Sequence, residues 1–168
     1  LTTNQIQDVK IEDLLGREPI SLSNKNVSKE LKDKVVLVTG AAGSIGSEIC
    51  RQVLHYAPKK LVLLDQAESP LYDLQFELKN NEPYKTLGVP MEFVIANVKD
   101  YRKMKDVFDR FKPQIVYHAA AYKHVPLMEE FPYEAVYVNV FGTKNVVDLA
   151  MEYKAEKFVM VSTDKAVN

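Results

Sequence analysis

The sequence predicts a doubly wound α/β fold, a parallel sheet covered by helices on both faces. Short unbroken apolar runs recur at Val35–Val38, Leu61–Leu64, Phe93–Ile95, Ile115–Tyr117 and Phe158–Val161. Strands buried on both faces read this way. Segments of helical spacing separate the runs, and a glycine-spaced turn joins the first run to the first helical segment. A helix between successive strands carries the chain back along the sheet, so the next strand starts parallel to the last.

Taken in order, residues 1–33 are polar and lack periodicity apart from Ile11, Leu14 and Leu15. Pro19 and the Ser- and Asn-containing stretch from Ser21 to Ser28 discourage long regular structure. They are expected to form an arm or linker with about one helical turn, ahead of a domain over 34–168. Residues 44–56 predict a helix with Ile45, Ile49 and Val53 on one side. Residues 68–80 bring Leu71, Leu74, Phe76 and Leu78 together, and residues 100–111 bring Tyr101, Met104, Val107, Phe108 and Phe111 together. Residues 131–153 predict a long helix with Val136, Val140, Val146, Leu149 and Ala150 inward.

The bulk numbers fit that organisation. The chain has 168 residues, 46% hydrophobic and 27% charged, which suits one globular domain with a real core. A net charge of -1 gives no overall excess of Lys and Arg for a nucleic-acid partner. Cys50 is the single cysteine, so no internal disulfide or multi-cysteine metal site forms, and its place in a helical segment predicts burial as a small apolar residue. His55 and His118 have no companions at metal-ligand spacing, so no metal is expected. No apolar run approaches the roughly 20 residues that span a bilayer, and no signal peptide is visible. The sequence runs from Leu1 to Asn168 and is expected to be a piece of a longer protein.

The first strand leads directly into Thr39-Gly40-Ala41-Ala42-Gly43-Ser44-Ile45-Gly46, a G-x-x-G-x-x-G spacing. Between a strand and an amphipathic helix, such glycines give a tight turn, a bare backbone for a pyrophosphate and close helix–strand packing. The helix start adds free N–H donors and partial positive charge. This is a Rossmann-type dinucleotide loop, with Gly40, Gly43, Ser44, Ile45 and Gly46 as its contact positions. Asp65 ends the second strand, 19 positions beyond Gly46. A carboxylate there accepts from the adenosine ribose hydroxyls and repels a 2′-phosphate, and no Arg follows closely, so NAD is favoured over NADP. A solvated acid at a strand end is the alternative. Asn97 and Val98 follow the third strand, at the carboxyl edge where ligands collect, and an Asn amide suits an adenine edge. Ala119, Ala120 and Ala121 follow His118 and the fourth strand; their small side chains let the backbone approach a cofactor, with ordinary packing as the alternative.

Several stretches together resemble the extended short-chain dehydrogenase/reductase superfamily, and within it the CapD-type polysaccharide biosynthesis proteins, the UDP-N-acetylglucosamine 4,6-dehydratase group. They are KIEDLLGREPI (10–20), VLVTGAAGSIGSEICRQ (36–52), LVLLDQAESPLYDLQFEL (61–78), VYHAAAYKHVPLMEEFPYEAVYVNVFGT (116–143) and KFVMVSTDKAVN (157–168). The resemblance implies that hydride passes from sugar carbon 4 to NAD, water leaves across carbons 5 and 6, and the hydride returns at carbon 6. By the same resemblance Thr163 hydrogen-bonds the UDP-sugar substrate near carbon 4, and Asp164 protonates the departing hydroxyl. Lys165, where glucose dehydratases carry Glu, serves or assists the base at carbon 5. Lys123 reaches a ribose or sugar hydroxyl. His124 is either a substrate contact or a plain polar residue, and Asn139 supports the active-site geometry. Asn97 departs from the Asp that many superfamily members carry.

The resemblance places the Tyr/Met-x-x-x-Lys segment and the UDP-binding domain beyond residue 168. This chain is therefore expected to be the cofactor half, truncated before the substrate domain and inactive by itself. Longer relatives imply membrane segments ahead of the chain, a cytoplasmic catalytic part at a bacterial inner membrane, a role in surface polysaccharide synthesis, and self-association as a homo-oligomer. Two other readings stay open on the sequence: a nucleotide-sugar 4-epimerase, and a non-catalytic NAD-binding scaffold.

Overall fold

The five predicted runs become five strands in the computed structural model, which describes residues 25–162. Helix α1 (Lys25–Leu31) leads to β1 (Val35–Thr39), α2 (Ser44–Leu54), β2 (Lys60–Asp65) and α3 (Glu68–Asn80). A 3₁₀ turn (Tyr84–Leu87), β3 (Met91–Ile95), α4 (Tyr101–Phe111) and β4 (Ile115–His118) follow. The chain continues through α5 (Val125–Glu130), α6 (Pro132–Ala135), a π-helical turn (Val136–Gly142), α7 (Thr143–Glu152) and β5 (Lys157–Met160).

All pairings are parallel, in the order β3-β2-β1-β4-β5. Val36 stands opposite Leu61 on one side and Ile115 on the other. The chain walks outward from β1 to β3, then returns to the far side of β1. That reversal opens a crevice beyond the carboxyl ends of β1 and β4, where doubly wound sheets bind ligands.

Two apolar layers sandwich the sheet. Leu37, Val62 and Val116 pack with Met104, Phe108, Val146 and Leu149 on one face. Val36, Val38, Leu61, Leu63 and Ile115 pack with Cys50, Val53, Leu71, Leu78 and Leu31 on the other. Both faces of β1 are covered, which explains its unbroken apolar run. Cys50 is buried as expected, and burial raises its thiol pKa far above the ordinary range. Arg51 of α2 grips Glu77 of α3 with two bonds, Nε to Oε1 at 2.7 Å and Nη2 to Oε2 at 2.8 Å. The Arg51 hydrogen bond holds the Glu77 carboxyl below its ordinary range, against the opposing effect of burial.

Several sequence expectations are corrected. Part of the expected linker is ordered: Ser28 lies inside α1, and Leu31 is buried in the core. The region expected as arm before Lys25 lies outside the described residues. Ile45 is 54% exposed because the buried face of α2 runs through Gly46, Cys50, Val53 and Leu54, leaving Ile45 on the flank. Phe76 is exposed because it falls halfway round α3 between Leu74 and Leu78. Tyr101, the first residue of α4, is also exposed.

The helix expected over 131–153 runs without a break from Pro132 to Glu152, but it changes to π spacing over Val136–Gly142. Phe131 leaves helical geometry at φ -126°, ψ 60° ahead of Pro132, as the residue before a proline tends to do. The π turn then widens the helix, shifting the face. Val138 is buried in place of Val136 and Val140, which point outward. No helix among the described residues is long and apolar enough to cross a membrane.

Candidate functional site

The site starts where β1 ends. Gly40 turns the chain at φ +67°, and a Cβ there would sit 2.6 Å from the Ala120 nitrogen. The loops after β1 and β4 therefore meet backbone to backbone. Gly46 lies even tighter: a Cβ on it would reach 1.9 Å from the Gly40 oxygen. Helix α2 is pressed onto the turn that precedes it. Gly43 caps α2 in extended geometry with no side-chain acceptor, and the first turn contains no acidic residue. The leading amides of Ser44, Ile45 and Gly46 have no acceptor within the helix, and the helix dipole is positive there.

Asp65 is fixed at the end of β2. Its Oδ2 accepts from the Ala42 N–H at 3.0 Å, and its Oδ1 accepts from the Ala67 N–H at 2.9 Å. The acid thus holds the glycine loop while retaining lone pairs for a ligand. A cleft of about 230 Å³ lies against it. Of the sequence-predicted residues, Gly40, Gly43, Asp65, Asn97, Val98, Ala119, Ala120 and Ala121 line this cleft. Ser44, Ile45 and Gly46 continue into α2 beside it. Lys123 and His124 are exposed one and two residues past Tyr122, itself a lining residue.

Asn97 donates from Nδ2 to Gln66 Oε1 and accepts the Lys99 N–H on Oδ1 at 2.9 Å. Gln66 Nε2 donates to Tyr122 Oη at 3.0 Å. Asn139 sits in the π turn and pairs with both backbone groups of Tyr122. Its Oδ1 accepts the Tyr122 N–H, and its Nδ2 donates to the Tyr122 carbonyl, each at 2.8 Å. The side chain thereby fixes the segment that carries Lys123 and His124.

Beneath the crevice lies a buried polar pair. Thr39 Oγ1 is 2.7 Å from His118 Nδ1, and His118 Nε2 is 2.9 Å from Thr143 Oγ1. Burial lowers the His118 pKa to about 4, so the ring is neutral, donating from one nitrogen and accepting at the other. The Val161 N–H donates to the His118 carbonyl at 3.0 Å, tethering the chain just past β5 to the same rim. Thr163, Asp164 and Lys165 lie outside the described residues.

Sequence reasoning did not find the Ala42 amide as partner of Asp65, the Gln66–Tyr122 bond, or the Thr39–His118–Thr143 bridge. Gln66 adjoins the predicted acid and Tyr122 adjoins the alanine run, so position alone marks them for scrutiny. Nothing in the spacing pairs residues 39, 118 and 143.

The strand order, the close-packed glycine loop and the acid beside the crevice define a Rossmann-type domain. Residues 36–168 match the polysaccharide biosynthesis protein family, and the chain belongs to that family. It is 51% identical over its whole length to the capsular polysaccharide biosynthesis protein CapD of Staphylococcus aureus, covering 28% of that protein. It is 34% identical to an inverting UDP-N-acetylglucosamine 4,6-dehydratase of Campylobacter jejuni, over 80% of this chain and 38% of that one. Among solved structures, the UDP-glucose 4-epimerase of Thermus thermophilus in complex with NAD superimposes with a TM-score of 0.63 at 30% identity. That match covers 77% of this chain and 37% of the epimerase. The chain thus spans less than two fifths of each of these relatives.

Proposed function

We propose that this chain is the NAD-binding part of a nucleotide-sugar 4,6-dehydratase that serves surface polysaccharide synthesis. The observation that carries the nucleotide reading is Asp65, a carboxylate that lines the cleft and pins the glycine loop through the Ala42 amide. The residues present fit a dinucleotide. The space at Gly46 admits no Cβ, which brings the bare helix start against the turn, and an uncapped helix start is suited to pyrophosphate. The acid beside it suits ribose hydroxyls and disfavours a 2′-phosphate.

The chemistry the cofactor supplies is reversible hydride acceptance. The chain's own residues divide the remaining work. The amides of Ser44, Ile45 and Gly46 bind pyrophosphate, Asp65 binds the ribose, Asn97 and Val98 line the adenine end, and the alanines let the backbone come close to the cofactor. Lys123 and His124 present donors on the substrate side, held by the Asn139 grip on Tyr122. Thr163 binds the sugar near carbon 4. Asp164 protonates the hydroxyl that leaves carbon 6 as water, and Lys165 takes the proton from carbon 5. The catalytic part faces the cytoplasm, with any membrane attachment carried by other segments of the full-length protein.

The NAD-bound epimerase structure favours a second reading, a nucleotide-sugar 4-epimerase. Both reactions begin with oxidation at carbon 4, so the cofactor half serves either. The full-length protein given UDP-N-acetylglucosamine discriminates by mass. A dehydratase yields a keto product lighter by one water, whereas an epimerase yields an isomer of unchanged mass. Loss of dehydration on replacing Asp164 or Lys165 supports their roles, and undiminished turnover refutes them.

A further inference from the structure

We propose that Gln66 and Tyr122 form a clasp across the adenosine half of the cleft and set how long a dinucleotide stays bound. The proposal rests on the nucleotide reading above. Gln66 follows β2 and Tyr122 follows β4, while β1 lies between these two strands in the sheet. Their hydrogen bond, 3.0 Å from Nε2 to Oη, therefore runs across the end of β1 and the glycine loop that leaves it. Asn97, from beyond β3, extends the strap by donating to Gln66 Oε1. All three side chains line the cleft.

Both ends of the strap are anchored. Asn97 is held by the Lys99 amide, and Tyr122 is held by the two bonds from Asn139. Gln66 adjoins Asp65, whose two carboxylate oxygens are both engaged by backbone amides. The Gln66–Tyr122 link is a single neutral bond between exposed groups. Such a bond contributes about a factor of five to an equilibrium, enough to favour closure and weak enough to open thermally. Neither partner carries charge, so the strap does not repel a pyrophosphate. The strap crosses the adenosine half, and the fixed anchors return it to the closed position over the bound ligand. The acid that grips the ribose adjoins Gln66, which places the clasp at the adenosine end.

The test is stopped-flow binding of NADH, read by its own fluorescence, to the full-length protein and its Gln66→Ala, Tyr122→Phe and double variants. Tyr122→Phe keeps the ring and removes only the hydroxyl, so it guards against a folding effect of the alanine variant. The clasp predicts that each single change speeds dissociation about fivefold. It predicts association within about twofold of the unmodified protein, and a double variant no faster to release than the singles. Faster association with unchanged release overturns the clasp and makes the bond a mere obstacle. Multiplying effects in the double variant, or unchanged rates throughout, also overturn it. If the unmodified protein binds no NADH, the nucleotide reading itself fails, an outcome distinct from all of these.

Discussion

Thr39 Oγ1 lies 2.7 Å from His118 Nδ1 and joins the ends of the two strands that flank the crevice. The other ring nitrogen meets Thr143 at the start of α7. Burial depresses the His118 pKa from 6.5 to about 4, so the folded protein resists a proton that the unfolded chain accepts. The stabilisation is full above pH 6.5, shrinks as pH falls from there, and is gone below about 4. The loss on going from neutral pH to below pH 4 is on the order of 3 kcal/mol. Thermal unfolding between pH 7 and 4 should show this decline, and His118→Asn should flatten it. An equally steep decline in the variant contradicts the assignment.

Gly46→Ala must move either α2 or the Gly40 turn, because the new Cβ would stand 1.9 Å from the Gly40 oxygen. The change should weaken NAD binding by the full-length protein at least about tenfold and cost about 1–3 kcal/mol of stability, in the range of overpacking. Calorimetric titration and thermal melting measure the two effects. Unaltered affinity would remove the glycine loop from the site.

Asp65→Asn keeps one oxygen for the Ala42 N–H, gives up the acceptor of the Ala67 N–H and removes the charge that excludes a 2′-phosphate. The preference for NAD over NADP should fall about tenfold, measured as the ratio of the two dissociation constants, with 1.4 kcal/mol corresponding to each factor of ten. Asp65→Ala, which also releases the loop, should lose affinity for both nucleotides.

The Arg51–Glu77 pair is two-pronged and partly shielded, with side-chain exposures of 26% and 31%. Glu77→Gln should destabilise the protein by about 1–2 kcal/mol at neutral pH, above the usual surface pair because of the double bond. The Glu77 pKa is lowered in the folded state. Its contribution is therefore present above its ordinary value of 4.5 and lost as pH falls through the lower, folded value. Denaturant melts of the two proteins should converge in strong acid and differ at pH 7.

The doubly wound sheet was legible because the central strands β1, β2 and β4 are buried along most of their length and apolar residues recur at helical spacing between the strands. The glycine loop and Asp65 were legible for a local reason: both belong to a single strand–helix–strand unit whose spacing is fixed by the backbone. The outward turn of Val136 and Val140 was not, since an α-helical period assumes no π turn. Ile45 misled for a related reason, because the glycine after it sets which side of α2 packs. The Thr39–His118–Thr143 bridge and the Gln66–Tyr122 bond join residues far apart in the chain, and only the parallel pairing of strands brings them together. Thr163, Asp164 and Lys165 were legible by resemblance alone.

The most direct measurement is amide hydrogen exchange across residues 40–46 of the full-length protein, with and without NAD. Pyrophosphate seated on the start of α2 predicts marked slowing at Ser44, Ile45 and Gly46 on adding NAD, and less with NADP at equal concentration. Unchanged exchange in that segment at saturating NAD contradicts the account.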